Sequence, residues 1–158
     1  MPFASMANPT LTLDRAPRPA WVMPLPPCEL EAVFAAMLEA AEVRGAHADM
    51  ALLDDAAMER LHAASLGCAG PTNILAFPAQ NPEAARSPGR PLGYLALSLD
   101  TLERECFLYG QEPLDHCIRL LAHGLAHLLG HDHGPAMNAL ADRMESAALA
   151  LCRERHIV

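Results

Sequence analysis

The chain has 158 residues, with 11 basic and 19 acidic side chains and a formal net charge of −8. That length fits one domain with a real core, and 52% apolar against 19% charged residues excludes a disordered chain. The acidic balance argues against a charge-driven nucleic-acid coat or a membrane-surface binder, but not against a local basic site.

Seven of the 14 prolines fall in residues 1–27. That Pro-rich segment leaves room for little more than one short strand, about 10–14. Residues 29–44 place Leu30, Val33, Phe34, Met37, Leu38 and Ala41 at helical spacing, with Gly45 as the expected stop. Residues 48–53 read as a short strand, and Asp54 or Asp55 then caps a helix to about Leu66. A turn-rich stretch leads into the short apolar run Ile74-Leu75-Ala76-Phe77, and the prolines of 78–91 predict a loop. Residues 92–99 alternate, Leu95, Leu97 and Leu99 facing one way and Tyr94, Ala96 and Ser98 the other. Asp100 with Glu103 predicts a capping box for a helix to about Gly110. Pro113 suits the first position of the next helix, to about Leu129, and a last helix spans about 135–153. The fold class that follows is α+β: a single domain over 1–158, with a small mixed four-stranded sheet and about five helices.

All the basic residues are Arg, a composition bias. The five cysteines, Cys28, Cys68, Cys106, Cys117 and Cys152, are odd in number and form no Cys-x-x-Cys pair, so buried free thiols are expected. No signal peptide and no membrane-length apolar run is visible, and a cytoplasmic protein is the expectation.

Of eight histidines, four lie between His123 and His133. Their run is His123-Gly-Leu-Ala-His127-Leu-Leu-Gly130-His131-Asp132-His133. Residues four apart on a helix share a face, so His123 and His127 can point two imidazoles at one ion. Leu114, Ile118, Leu121, Leu125 and Leu128 fall on the opposite face, toward a core. Gly130 can take positive φ and turn the chain back, bringing His133 in as a third nitrogen. Three protein ligands with an open position for water is the pattern of catalytic zinc, one Zn²⁺ per chain. His131 competes for the third place, and the spacing of known zinc families favours His133. Asp132 reads either as a carboxylate orienting an imidazole or as a turn residue. His116 lies about 10 Å along the helix axis from His123, too far to join the set. It reads as a solvated histidine, with an RNA or substrate contact as the alternative.

The ligand spacing is that of metzincin proteases, but their general base, the Glu after the first His, is Gly124 here. The run HGLAHLLGHDH more fully resembles the signature of the YbeY family of bacterial rRNA maturation factors, His-Gly-x-x-His-Leu-x-Gly-[Tyr/His]-Asp-His. Pro71-Thr72-Asn73-Ile74-Leu75-Ala76-Phe77-Pro78 resembles the family's Pro-Thr-Asn-Val-Leu-Ser-Phe-Pro. Leu92-Gly93 through Ser98-x-Asp100-Thr101 resembles its Leu-Gly-Asp-Ile…Ser-x-Asp-Thr. The resemblance covers roughly residues 9–153.

What the resemblance implies is a metzincin-like zinc helix in a cleft and a zinc-dependent, single-strand-specific endoribonuclease. Such an enzyme acts in 3′-end maturation of small-subunit rRNA and in ribosome quality control. Its partners would be rRNA, the small ribosomal subunit, ribosomal proteins and the assembly GTPase Era, with no DNA and no membrane. By position His123, His127 and His133 carry over as zinc ligands that act catalytically through the metal, and Thr72 and Asn73 fall in a family-matching loop that can line the cleft. Two departures stand out. Where the family has Tyr-Arg-Gly-x-Asp, this chain has Ser65-Leu66-Gly67-Cys68-Ala69, and the Asp of Leu-Gly-Asp-Ile is Tyr94. Arg60, Arg86, Arg90 and Arg119 are candidate replacements for the missing Arg by charge alone. The loss also admits a non-catalytic zinc-stabilised assembly factor, and a metzincin-like hydrolase of another substrate is the third reading.

Overall fold

The computed structural model describes residues 11–15, 23–80 and 91–157. Among them are four strands: β1 (Leu11–Arg15), β2 (His47–Leu53), β3 (Ile74–Pro78) and β4 (Pro91–Ser98). Five helices accompany them: α1 (Pro27–Ala40), α2 (Asp55–Leu66), α3 (Leu99–Tyr109), α4 (Pro113–Leu128) and α5 (Pro135–Glu154). The strand order is β1-β2-β4-β3. β1 pairs with β2, and β2 with β4, in parallel, while β3 runs antiparallel to β4. Strands β2, β4 and β3 form the layer behind the site, and β1 extends it at the far edge. Thr10, Arg86, Arg90 and the rest of 81–90 lie outside the described residues.

Period-two alternation divides the core. Met50, Leu52, Leu95 and Leu97 point into the main cluster with α1, α4 and α5. Ala51, Leu53, Leu75 and Ala96 point the other way, against Met58 of α2. Helix α4 is enclosed by β3, β4, α3 and α5. Ile118, Leu121, Leu125 and Leu128 are fully buried as the spacing predicts, but so are Cys117, Ala122 and Ala126. The helix is therefore apolar well beyond one stripe, and the half-buried His123 and His127 interrupt that surface.

Two boundaries and one burial reading differ from expectation. Helix α1 ends at Ala40, before Gly45, because Glu42 takes the left-handed conformation and the Val43 amide closes on the Leu38 carbonyl at 2.9 Å. Val43 is buried there, an apolar contact of the kind that accompanies this helix ending. Helix α3 is capped by Ser98, whose hydroxyl accepts from the Thr101 amide at 3.2 Å, and not by Asp100. The Asp100 carboxylate instead accepts from the Asp55 amide at 3.0 Å, tying the starts of α2 and α3 together. His116 is the third: it is buried at 9% exposure rather than solvated.

Candidate active site

The site grows out of the end of α4. Gly130 adopts φ of 91°, and the His131 amide reaches back to the Ala126 carbonyl at 3.2 Å. This glycine-closed ending satisfies a free carbonyl and reverses the chain within a few residues. His133 is thereby returned toward the helix face that carries His123 and His127. The three imidazoles offer ligand atoms all within 4.8 Å of one another. Ring centroids stand 4.8, 4.9 and 5.4 Å apart.

Neighbouring groups set the chemistry of these rings. His127 Nδ1 lies 3.1 Å from the His131 carbonyl. A carbonyl can only accept, so Nδ1 carries the proton and Nε2 keeps its lone pair. Burial lowers the pKa of His123, and the nearby His127 and His133 lower it further. All three causes favour a neutral ring with a free lone pair, the form that binds a metal. His131 thus contributes its main chain, and its side chain stands outside the cluster. Asp132 is exposed, and the acceptor that orients His127 is the His131 carbonyl.

The cluster opens on a cleft of about 610 Å³. Leu66, Asn73, Arg119 and Leu120 line it beside the histidines, with Ile74 to Ala76 of β3 as one wall. Asn73 is brought in as its family-matching loop predicts, whereas Thr72, half-buried, is not part of the lining. Leu66, where the resemblance expects Arg, is 60% exposed at the cleft edge. Of the candidate replacements, Arg119 lines the cleft, while Arg60 is exposed on α2 and takes no part in it. No carboxylate among the described residues lines the cleft. Gly124 does, but its other side is tight. A Cβ there would stand 2.8 Å from Ile74 Cδ1 and 2.9 Å from Leu95 Cδ2. The position therefore marks a close approach of α4 to the sheet, where a Cβ would press on the ends of two apolar side chains.

Sequence reasoning missed Glu105. Its carboxylate accepts from Asn73 Nδ2 at 3.2 and 3.3 Å and meets His116 Nε2 at 2.7 Å. In sequence Glu105 sits in an ordinary charged stretch, and nothing local marks it.

Comparisons with known proteins agree with this geometry. A family model described as Endoribonuclease YbeY matches residues 27–154. A protein of that name from Nitratidesulfovibrio vulgaris is 42% identical over 154 residues, covering 89% of this chain and 95% of the relative. Another, from Oleidesulfovibrio alaskensis, is 42% identical over 142 residues, 79% of this chain and 84% of the relative. The solution structure of a Thermotoga maritima protein shares the fold, with a TM-score of 0.65 at 16% identity, covering 92% of this chain and 93% of that one.

Proposed function

Because this chain belongs to the YbeY family of endoribonucleases, hydrolases that act on RNA, we propose that it cuts single-stranded RNA internally, with zinc held by His123, His127 and His133. Its task in this reading is 3′-end maturation of small-subunit rRNA and ribosome quality control, in the cytoplasm, with the small subunit, its proteins and the GTPase Era as partners. The observation that carries the reading is the convergence of three imidazole ligand atoms within 4.8 Å in a cleft that no carboxylate among the described residues lines.

The donor set fits the metal. Three imidazole nitrogens on a helix and its turn suit a borderline-soft divalent ion with an open coordination position. When bound, such an ion acidifies a water and stabilises charge on a phosphoryl oxygen. The chain's own residues do the rest. The His131 carbonyl holds the His127 ring and fixes its tautomer. Burial lowers the pKa of His123, which favours the neutral ring that coordinates. Asn73 offers an amide to the cleft, held in place by Glu105. Apolar Ile74 and Leu120 thin the water around the reacting phosphate. With Gly124 in place of the metzincin glutamate, the histidine motif carries no carboxylate base of the peptidase kind, which disfavours peptide hydrolysis.

Metal analysis combined with a cleavage assay tests the reading. Purified wild type is expected to carry about one zinc per chain and to cut a single-stranded oligoribonucleotide. Chelation or His127→Ala should remove both metal and cleavage. Undiminished cleavage after either treatment overturns the proposal.

A further inference from the structure

We infer that Arg119 is the group that receives the phosphate of an RNA strand lying against the histidine cluster. The inference rests on the endoribonuclease reading and adds a substrate-binding residue to it. Arg119 precedes His123 by four residues on α4, so the two side chains share a helix face about 6 Å apart along the axis. Both line the same cleft, and Arg119 is the only cation among the described residues that does. An RNA strand reaching the histidines must bring phosphates into this cleft, and a chain of net charge −8 repels it elsewhere.

The way Arg119 is held differs from that of the arginines committed to carboxylates. Arg104 is committed to Asp55 at 2.8 and 3.2 Å and to Thr101 at 3.1 Å. Arg155 is committed to Glu29 at 2.9 Å. Arg119 instead donates Nη1 to the neutral Gln111 Oε1 at 3.0 Å, and its nearest carboxylate, Glu145, stands 3.7 Å from Nε. Gln111 fixes the guanidinium without neutralising it, and Glu145 attracts it at a distance longer than a hydrogen bond. The side chain is 49% exposed. A planar guanidinium that is positioned but loosely paired is suited to bidentate phosphate contact. Leu66, exposed and uncharged at the cleft edge, leaves this charge to Arg119.

The test measures binding of a fluorescent single-stranded oligoribonucleotide to chelated protein, and cleavage by zinc-loaded protein, for wild type, Arg119→Ala, Arg119→Lys and Glu145→Gln. Arg119→Ala is expected to weaken binding about tenfold and to reduce the salt slope of log K by about 0.7, the value for one lost contact to a single strand. Its kcat/KM should fall at least as far. Arg119→Lys should recover part of the binding, and Glu145→Gln should tighten it. Should Arg119→Ala melt early, the Lys and Glu145→Gln variants decide the matter by the same readouts. A wild type that cuts RNA beside a folded Arg119→Ala variant with unchanged binding, salt slope and KM overturns the assignment of Arg119 alone. A wild type that neither binds nor cuts RNA overturns the endoribonuclease reading and this inference with it.

Discussion

His116 Nε2 lies 2.7 Å from Glu105 Oε2, and the same carboxylate holds Asn73 Nδ2 at the cleft. Asn73 also offers Oδ1 to the Ile74 amide at 2.6 Å, and its carbonyl accepts from the Ser98 amide at 2.9 Å. Side chain and main chain are thus both fixed, by α3, α4 and β4 together. The His116 imidazole is buried, and Nδ1 already lacks a hydrogen-bond partner. Removing its other partner leaves a buried polar ring with none.

Glu105→Ala is therefore expected to lower stability by about 1–3 kcal/mol and to raise KM for RNA by freeing Asn73. Glu105→Gln keeps an oxygen for Asn73 and should restore most of the KM. Urea unfolding and steady-state cleavage of the two variants check this. Equal stability of Glu105→Ala and wild type would show that the network holds nothing.

Gly124 sets two opposing effects against each other. Alanine is the better helix former by about 1 kcal/mol. Its methyl, however, would meet Ile74 and Leu95 below 3.0 Å in the layer between α4 and the sheet. Overpacking of a full core costs about 1–3 kcal/mol, so Gly124→Ala should come out less stable by about 1 kcal/mol on balance. A denaturation midpoint for Gly124→Ala at or above that of wild type contradicts the packing account.

The parts of the molecule legible in the sequence are those set by local pattern. The alternation of Leu95 and Leu97 with Ala96 puts the two sets on opposite faces of β4, as found. The spacing of His123, His127, Gly130 and His133 depends only on helix pitch and one turn, and the three rings do converge. The misreadings are long-range. Asp100 looked like a cap because of Glu103, but a residue 45 positions away, Asp55, takes its carboxylate. His116 looked solvated because nothing nearby pairs with it; its partner Glu105 arrives on another helix. Charge alone left Arg60, Arg86, Arg90 and Arg119 level, and only tertiary placement puts Arg119 in the cleft.

Asp55 gives the chain an acid limb. Its carboxylate accepts from Arg104 and from the hydroxyls of Thr101 and Ser98. The Arg104 hydrogen bond is the main cause that lowers its pKa below the ordinary 3.8, against a smaller opposing effect of burial. A carboxyl that ionises more readily folded than unfolded stabilises fully above its unfolded pKa, and that contribution is lost as pH falls through the lower folded value. Both partners are substantially exposed, so screening keeps the contribution near or below about 1 kcal/mol. Thermal melts from about pH 6 to pH 2.5 should show wild type losing stability below about pH 4 more steeply than Asp55→Asn. Parallel curves would mean that Asp55 titrates alike in both states.

The five thiols divide by burial. Cys28 and Cys68 are exposed, whereas Cys106, Cys117 and Cys152 are buried in the main core. Desolvation pushes all three buried thiols up, Cys117 the furthest. The thiolate is the reactive form, so burial suppresses both access and ionisation at these three. A thiol reagent at about pH 8 should therefore modify Cys28 and Cys68 quickly in the native protein, and the other three only after denaturation. Cys106 and Cys152 lie on α3 and α5, the helices that flank α4, so their labelling rate reports opening of the packing around the histidine helix. Mass spectrometry of the labelled peptides reads the division directly. Early modification of Cys117, which is fully buried on α4 itself, would mean that the helix carrying His123 and His127 opens far more readily than its packing implies.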